Sequence, residues 1–236
     1  MLSSLLKSSH RVTSDQAKAF ATDCTVPFAR QTVKQLARYS NRGDAIEILK
    51  KWDGKAKVDS VGCVLYTYWL RQRRENEALS SLAGRNEAWT SEAGAAAKQS
   101  LDAAIQQMLK EQGTLNTPWG GVQYMQRGNV KTPVQGFGYV APGSSLAAIS
   151  PASAGSSTLK EGKSHATFGS SFRMIVSLEP KGIKSWSVLP YGNSNVPSSP
   201  HFADQMELYA VGKYKATAFG LRDAKSKSVK SYSLQY

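Results

Sequence analysis

The apolar residues of this chain change their period at Gly113, and that switch constrains the fold more than any other feature. Before it, apolar side chains recur every three or four residues; after it, they alternate. A chain patterned this way is an α+β protein. A helical region covers residues 1–112, and a β-rich region with antiparallel strands, a closing helix and a basic tail covers 113–236. The 236 residues suffice for one large domain or two small ones.

The helical half is punctuated by its own sequence. Thr13-Ser14-Asp15-Gln16 reads as a capping box, with Thr13 as N-cap and Gln16 reaching back. Ala17, Phe20, Ala21 and Cys24 follow at helical spacing, and Pro27 should kink or restart the helix. Ala29, Val33, Leu36 and Ala37 continue an apolar face until Asn41-Arg42-Gly43 stops it. A short helix carries Ala45, Ile48, Leu49 and Trp52 on one side and breaks at Asp53-Gly54. Val61, Val64, Leu65 and Tyr68 form a third stripe, ending in the charged run Arg71 to Glu77. A fourth helix is expected from about Glu92 to Glu111, with Ala97, Leu101, Ala104, Ile105 and Met108 inward. These stripes read as core packing rather than as a cofactor box.

The second half reads as strands. Gly121–Gln126 and Val134–Val140 are expected to be short ones, and 141–170, rich in Ser, Ala and Gly, a long loop. Phe172, Met174, Val176 and Leu178 alternate with Arg173, Ile175 and Ser177; Trp186 and Val188 alternate with polar residues. Pro180-Lys181-Gly182 should join the two strands as a hairpin. After the turn YGNSNVPSSP, Ser199 is placed to cap a helix with Pro200 at its first position and Met206, Tyr209 and Ala210 inside.

Charge narrows the partners. Of the 30 Lys/Arg and 17 Asp/Glu, residues 1–113 hold 17 and 12, leaving 13 and 5 for the rest. A net +13 suits anionic partners, but no dense basic run interleaved with aromatics appears, so nucleic acid is not the expected partner. No run of about 18 apolar residues exists to cross a membrane. Leu2–Leu6 is broken by serines and ends at Lys7, short of the roughly 7–15-residue apolar core of a signal peptide. Cys24 and Cys63 fit either a disulfide in an exported chain or two buried thiols. With His10, His165 and His201 scattered, no metal-ligand spacing is present, and no cofactor is expected.

Few patterns in the chain bear on chemistry. Glu161-Gly162-Lys163-Ser164 ends like a phosphate-binding loop, but the first glycine should fall at Ser157. No G-x-S-x-G elbow exists. His201 and Asp204, three residues apart, form the best local acid–base pair. The structural alternative is that Asp204 favours a helix start while His201 and Gln205 bond nearby loops, and that is the expectation. Asn193 and Ser194 sit between a strand and a helix; a turn role is expected over an oxyanion role for Asn193.

Taken together, several segments resemble the penicillin amidase family in order and spacing. They are TSDQAKAFATDCTVPFARQTVKQL with Asp15 and Asp23, the Leu49, Trp52, Asp53, Gly54 element, and the Trp119, Gly120, Arg127, Gly128 hairpin. GSSFRMIVSLEPKGIKSWSVLPYGNS and SPHFADQ complete the likeness. The Y-G-N-S and S-P-H-F-A-D-Q wording is nearest the branch acting on acyl-homoserine lactones and aculeacin-type lipopeptides; Asn193 replaces a frequent Gln. The resemblance implies part of the αββα sandwich of N-terminal-nucleophile hydrolases, so the two regions would together form one partial domain. Such enzymes cleave themselves to expose a serine. Its hydroxyl attacks an amide carbonyl, its α-amino group takes the proton, and a backbone N–H with an Asn side chain holds the oxyanion.

The same likeness places this chain at the carboxyl end of the catalytic β-subunit, downstream of that serine. Ser3 and Ser4 lack the matching strand context, so no catalytic residue is carried over. Asn193, Ser194, His201, Asp204 and Gln205 are family-motif positions expected to be structural. The implied partner is the missing α-subunit and front of the β-subunit; the implied substrate of the complete enzyme is a small acyl amide, and the implied location periplasmic or secreted. Strands at 121–140 and 172–190 would then have unpaired edges and exposed apolar faces. The alternative reading is a non-catalytic basic binding or scaffold module that keeps the acylase framework.

Overall fold

The computed structural model describes residues 12–26, 28–74, 88–137, 152–153, 160–166, 168–180, 182–228 and 233. The helical half comprises α1 (Ser14–Ala21), α2 (Ala29–Tyr39), α3 (Gly43–Lys51), α4 (Val61–Arg74), α5 (Ser91–Gln112) and the single turn α6 (Trp119–Val122). The strands are β1 (Gln123–Arg127), β2 (Val130–Pro133), β3 (Ala152–Ser153), β4 (Ser164–His165), β5 (Phe168–Gly169), β6 (Arg173–Glu179) and β7 (Gly182–Val188). The chain continues through α7 (Met206–Ala210), β8 (Lys215–Thr217) and α8 (Leu221–Lys227).

Helix α4 is the axis of the core. Cys63 through Leu70 are buried without interruption, so it is buried on every side rather than along one stripe. It must therefore be surrounded, and α3 and α5 pack on it. Two glycines allow the close approach. A Cβ on Gly94 of α5 would lie 2.1 Å from the Tyr39 ring, and one on Gly62 of α4 2.4 Å from Trp52 Cβ. Tyr39 and Trp69 each stack on Trp89 at 6.3 Å, and Trp69 donates its indole N–H to Ala97 O at 3.2 Å. Helix α5 starts where Thr90 Oγ1 accepts the Ala93 amide and ends at Gly113, whose φ of 73° only glycine adopts freely.

The capping box forms as expected: Thr13 Oγ1 accepts from Gln16 N and Gln16 Oε1 from Thr13 N. Its helix, however, is shorter than expected and buries none of its residues. Cys24 is buried beyond it, in an extended segment whose carbonyl accepts the Ala56 amide. Pro27 and the run from Glu75 to Glu77 lie outside the described residues.

Three sheets are present among the described residues: β2-β1-β4, β3-β5 and β6-β7-β8. The expected strand at Val134–Val140 is displaced. The ladder runs at Val130–Pro133, because the tight turn at Gly128 (φ 57°) pairs Arg127 with Val130. Residues 134–137 instead serve as a hub, and 138–140 lie outside the described residues. The Gly136 carbonyl accepts from Trp119 Nε1 and from the buried amide of Gln123, and its N–H donates to Ala56 O, tying helices to strands.

The expected hairpin of β6 and β7 forms, with a register from Arg173 opposite Val188 to Glu179 opposite Gly182. Paired residues share a face. Ile175 and Trp186 turn toward α1, where Lys18 Nζ sits 3.8 Å over the Trp186 ring. The opposite face carries Met174, Val176, Leu178 and Ile183, exposed by 40, 43, 79 and 43%. Phe172 extends this strip, and among the described residues β6 is an unpaired edge. One face of this sheet is covered by a helix, while the other presents apolar residues to solvent. The expected exposed apolar face is therefore present at β6–β7.

Candidate functional site at the Tyr191 to Gln205 turn

The residues singled out from sequence gather in the connection between β7 and α7. Gln205 holds it together: its N–H donates to Tyr191 O at 2.8 Å, and its Oε1 accepts the Leu189 amide at 3.0 Å. It is buried, so these bonds are shielded from water. Ser194 donates its amide to His201 O and accepts the Val196 amide on Oγ at 3.2 Å, a local turn bond. Asn193 is exposed and does not take the left-handed backbone that its residue type tolerates.

His201 and Asp204 do meet, at 2.9 Å between Nδ1 and Oδ2. They do so in a turn rather than on a helix. Ser199 Oγ accepts the His201 amide, which closes only a turn, and the helix begins six residues after Pro200, at Met206. The expected Ser199 helix cap is therefore corrected. Gly192 explains the tightness: a Cβ there would lie 2.1 Å from His201 O and 2.7 Å from Asp204 Oδ1. The His201 side chain is 64% exposed, and its hydrogen bonds run to Asp204, Ser199 and Ser194. This dyad orients an imidazole at the surface, and among the described residues the ring's hydrogen bond reaches no side-chain nucleophile to activate.

One residue of this constellation escaped sequence reasoning as a brace. Arg127, at the end of β1, lies 4.3 Å over the Phe202 ring and 5.3 Å over Tyr191. It donates to Phe202 O at 2.8 Å and to Asn195 Oδ1 at 3.1 Å. It clamps the turn to a hairpin some 70 residues away, a long-range contact that no local spacing announces. Next to it, Gly128 gives room to the Phe202 ring.

Other candidates resolve into structure. Lys163 of the partial phosphate-loop motif donates to Gly121 O at 2.6 Å, within a turn where Gly162 has φ 72°. Cys24 and Cys63 are both buried free thiols, which decides the open alternative. Burial pushes Cys24 up to about 11 and Cys63 well above the usual thiol range, so neither is a nucleophile at neutral pH. Among the described residues no three His, Cys, Asp or Glu side chains gather to hold a metal ion, and no helix is long and apolar enough to cross a membrane.

A sequence model of the penicillin amidase family matches residues 1–226. The chain belongs to the penicillin amidase family. Curated relatives are named acyl-homoserine lactone acylase PvdQ. The protein of Pseudomonas syringae pv. tomato is 24% identical over 92% of this chain and 30% of its own length. That of a Pseudomonas fluorescens strain is 28% identical over 59% of this chain and 17% of its own length. The thermostable penicillin G acylase of Alcaligenes faecalis superposes with a TM-score of 0.52 at 14% identity, covering all of this chain and 51% of that one. The α+β arrangement is thus part of the N-terminal-nucleophile hydrolase fold, as the sequence resemblance implied. The chain spans less than a third of the curated relatives it matches.

Proposed function

We propose that this chain is the carboxyl-terminal portion of an acylase that hydrolyses the amide bond of an acylated amine. The nucleophilic serine belongs to a portion outside this chain. Family membership supports hydrolysis of linear amides, and the PvdQ relatives favour acyl-homoserine lactones over lipopeptides or penicillins as the substrate type. By the same likeness the complete enzyme works in the periplasm or outside the cell.

The observation that carries the reading is the β6–β7 sheet. One face has its helix; the other presents an apolar strip that a monomer of this size has no reason to leave bare. A second sheet from the remaining acylase would cover that strip and complete the sandwich. In the complete enzyme the present chain supplies framework: Gln205, Arg127 and Gly192 fix the turn, and Asn193, Ser194, His201 and Asp204 shape its surface without entering the reaction.

Co-expression with the sequence immediately upstream tests this. Complex formation and turnover of a chromogenic acyl amide are expected, with no turnover by this chain alone. Robust turnover by the isolated chain would show the nucleophile to be here. Salt-sensitive heparin binding with no hydrolysis by any complex would favour a basic scaffold module, the reading to which the net +13 points.

A further inference from the structure

Helices α2 and α3 enclose an open groove of about 550 Å³, lined by none of the residues discussed above as site candidates. Its floor is Val33, Leu49 and Trp52, all buried. Its rim is Arg30, Lys34, Arg38 and Lys50, all exposed, and among the described residues no acidic side chain lines it. Three of these cations stand four residues apart on α2. They form one ridge inclined to the helix axis, spaced by about 6 Å and spanning about 12 Å along the axis, beside the parallel apolar ridge of Val33 and Ala37.

The cations are little compensated. Lys50 reaches Glu47 at 3.4 Å on the exposed surface, and Arg38 donates to the neutral Gln35 at 3.2 Å. Arg30 folds across Gly54, where a Cβ would meet its Cγ at 3.1 Å, so its place at the rim is set by packing. Among the described residues, neither Arg30 nor Lys34 has an ion pair.

We propose that this groove seats an acidic amphipathic helix from the remaining portion of the acylase. The row spacing selects the occupant. Carboxylates at four-residue intervals on a helix repeat at the same 6 Å, with an apolar row beside them. A flat anionic membrane would meet the cations but not the recessed floor, and a single small anion would leave most of the row unmatched. The source is argued from charge complementarity and length: the row is cationic and little compensated within the chain, and the chain spans under a third of its relatives, so the remaining portion is the partner at hand. The assignment to that source rests on the function proposed above.

Two measurements test it. The first uses the isolated chain and a labelled helical peptide with Glu at every fourth position beside a Leu row, against a scrambled peptide of equal composition. Binding of the patterned peptide should exceed that of the scrambled one by roughly tenfold. The double variant K34E/R38E, with unchanged circular dichroism, should lose roughly tenfold. Equal binding of both peptides, or indifference to K34E/R38E, overturns the helix-shaped site. The second uses the co-expressed upstream portion. Charge reversal should cut the recovered complex several-fold; a complex that forms equally well with K34E/R38E overturns the assignment. If no complex forms with the native chain, the acylase reading and this source both fall, while the peptide result still decides the chemistry of the groove.

Discussion

The helical half and the β6–β7–β8 sheet treat their apolar residues in opposite ways. Around α4, Val64, Leu65, Tyr68 and Trp69 are wholly buried, and even the glycines are placed to bring helices closer. On the sheet, Met174, Val176, Leu178 and Ile183 face outward while small hydroxyls lie sheltered between them. Ser185 bonds Thr217 O and Ser187 bonds Thr217 Oγ1. One region has buried its core within the chain and keeps only the α2–α3 groove open; the other leaves a whole sheet face uncovered. Packing energy is local, so a portion of a larger fold can hold one finished core and one open surface.

The strongest attack on that contrast is a cavity in the finished core. Leu101→Ala should cost about 2–5 kcal/mol in urea unfolding, enough to unfold much of the isolated chain. A loss below about 1 kcal/mol would mean that the helical core is loose and the contrast false. Next comes Gly192→Ala, which drives a methyl into a backbone carbonyl and should cost about 1–3 kcal/mol by the same assay. An unchanged midpoint would show that the turn is not held as tightly as its contacts imply.

The thiols give a pH test confined to the helical side. Burial raises Cys24, so its native thiol stays protonated when the unfolded one ionises. Its contribution is fully present below about pH 9 and is lost as pH rises toward about 11. Cys24→Ala should flatten the fall in stability across that window; an identical slope in both proteins would contradict the burial. The open sheet should respond least in stability and most in solubility. Val176→Thr with Leu178→Lys is expected to move the unfolding free energy by no more than about 0.5 kcal/mol. It should also reduce sedimenting aggregate and weaken assembly with the upstream portion. Marked destabilisation of the isolated chain would show the strip to be covered already.

Smallest of all is His201→Ala. With an exposed ring bonded only locally, it should shift stability by about 0.5 kcal/mol or less and leave the complemented enzyme's kcat within about twofold. A hundredfold loss of kcat would return the dyad to the chemistry.

Much of this was legible residue by residue. Thr13 and Gln16 announced their capping box, and α5 ran within one residue of its expected ends, because caps and period are local properties. The β6–β7 hairpin was legible for the same reason. The errors came where distant contacts overrule local preference. Ser199-Pro200 has the chemistry of a helix start, yet the carbonyl of His201 is drawn to Ser194 N and the segment closes as turns. Val134–Val140 alternates like a strand, yet Gly136 gives its polar groups to Trp119, Gln123 and Ala56.

The sequence by itself determined the α+β order, the position of most helices and the resemblance to one end of a penicillin amidase. Periodicity, caps and motif spacing are written along the chain. Only the tertiary structure decided that the switch at Gly113 separates a closed core from an open sheet, and that Arg127 and Gln205 hold the turn. It also set three cations of α2 beside an apolar floor. Those facts depend on which residues meet across the fold, and burial is a property of the meeting rather than of the residue.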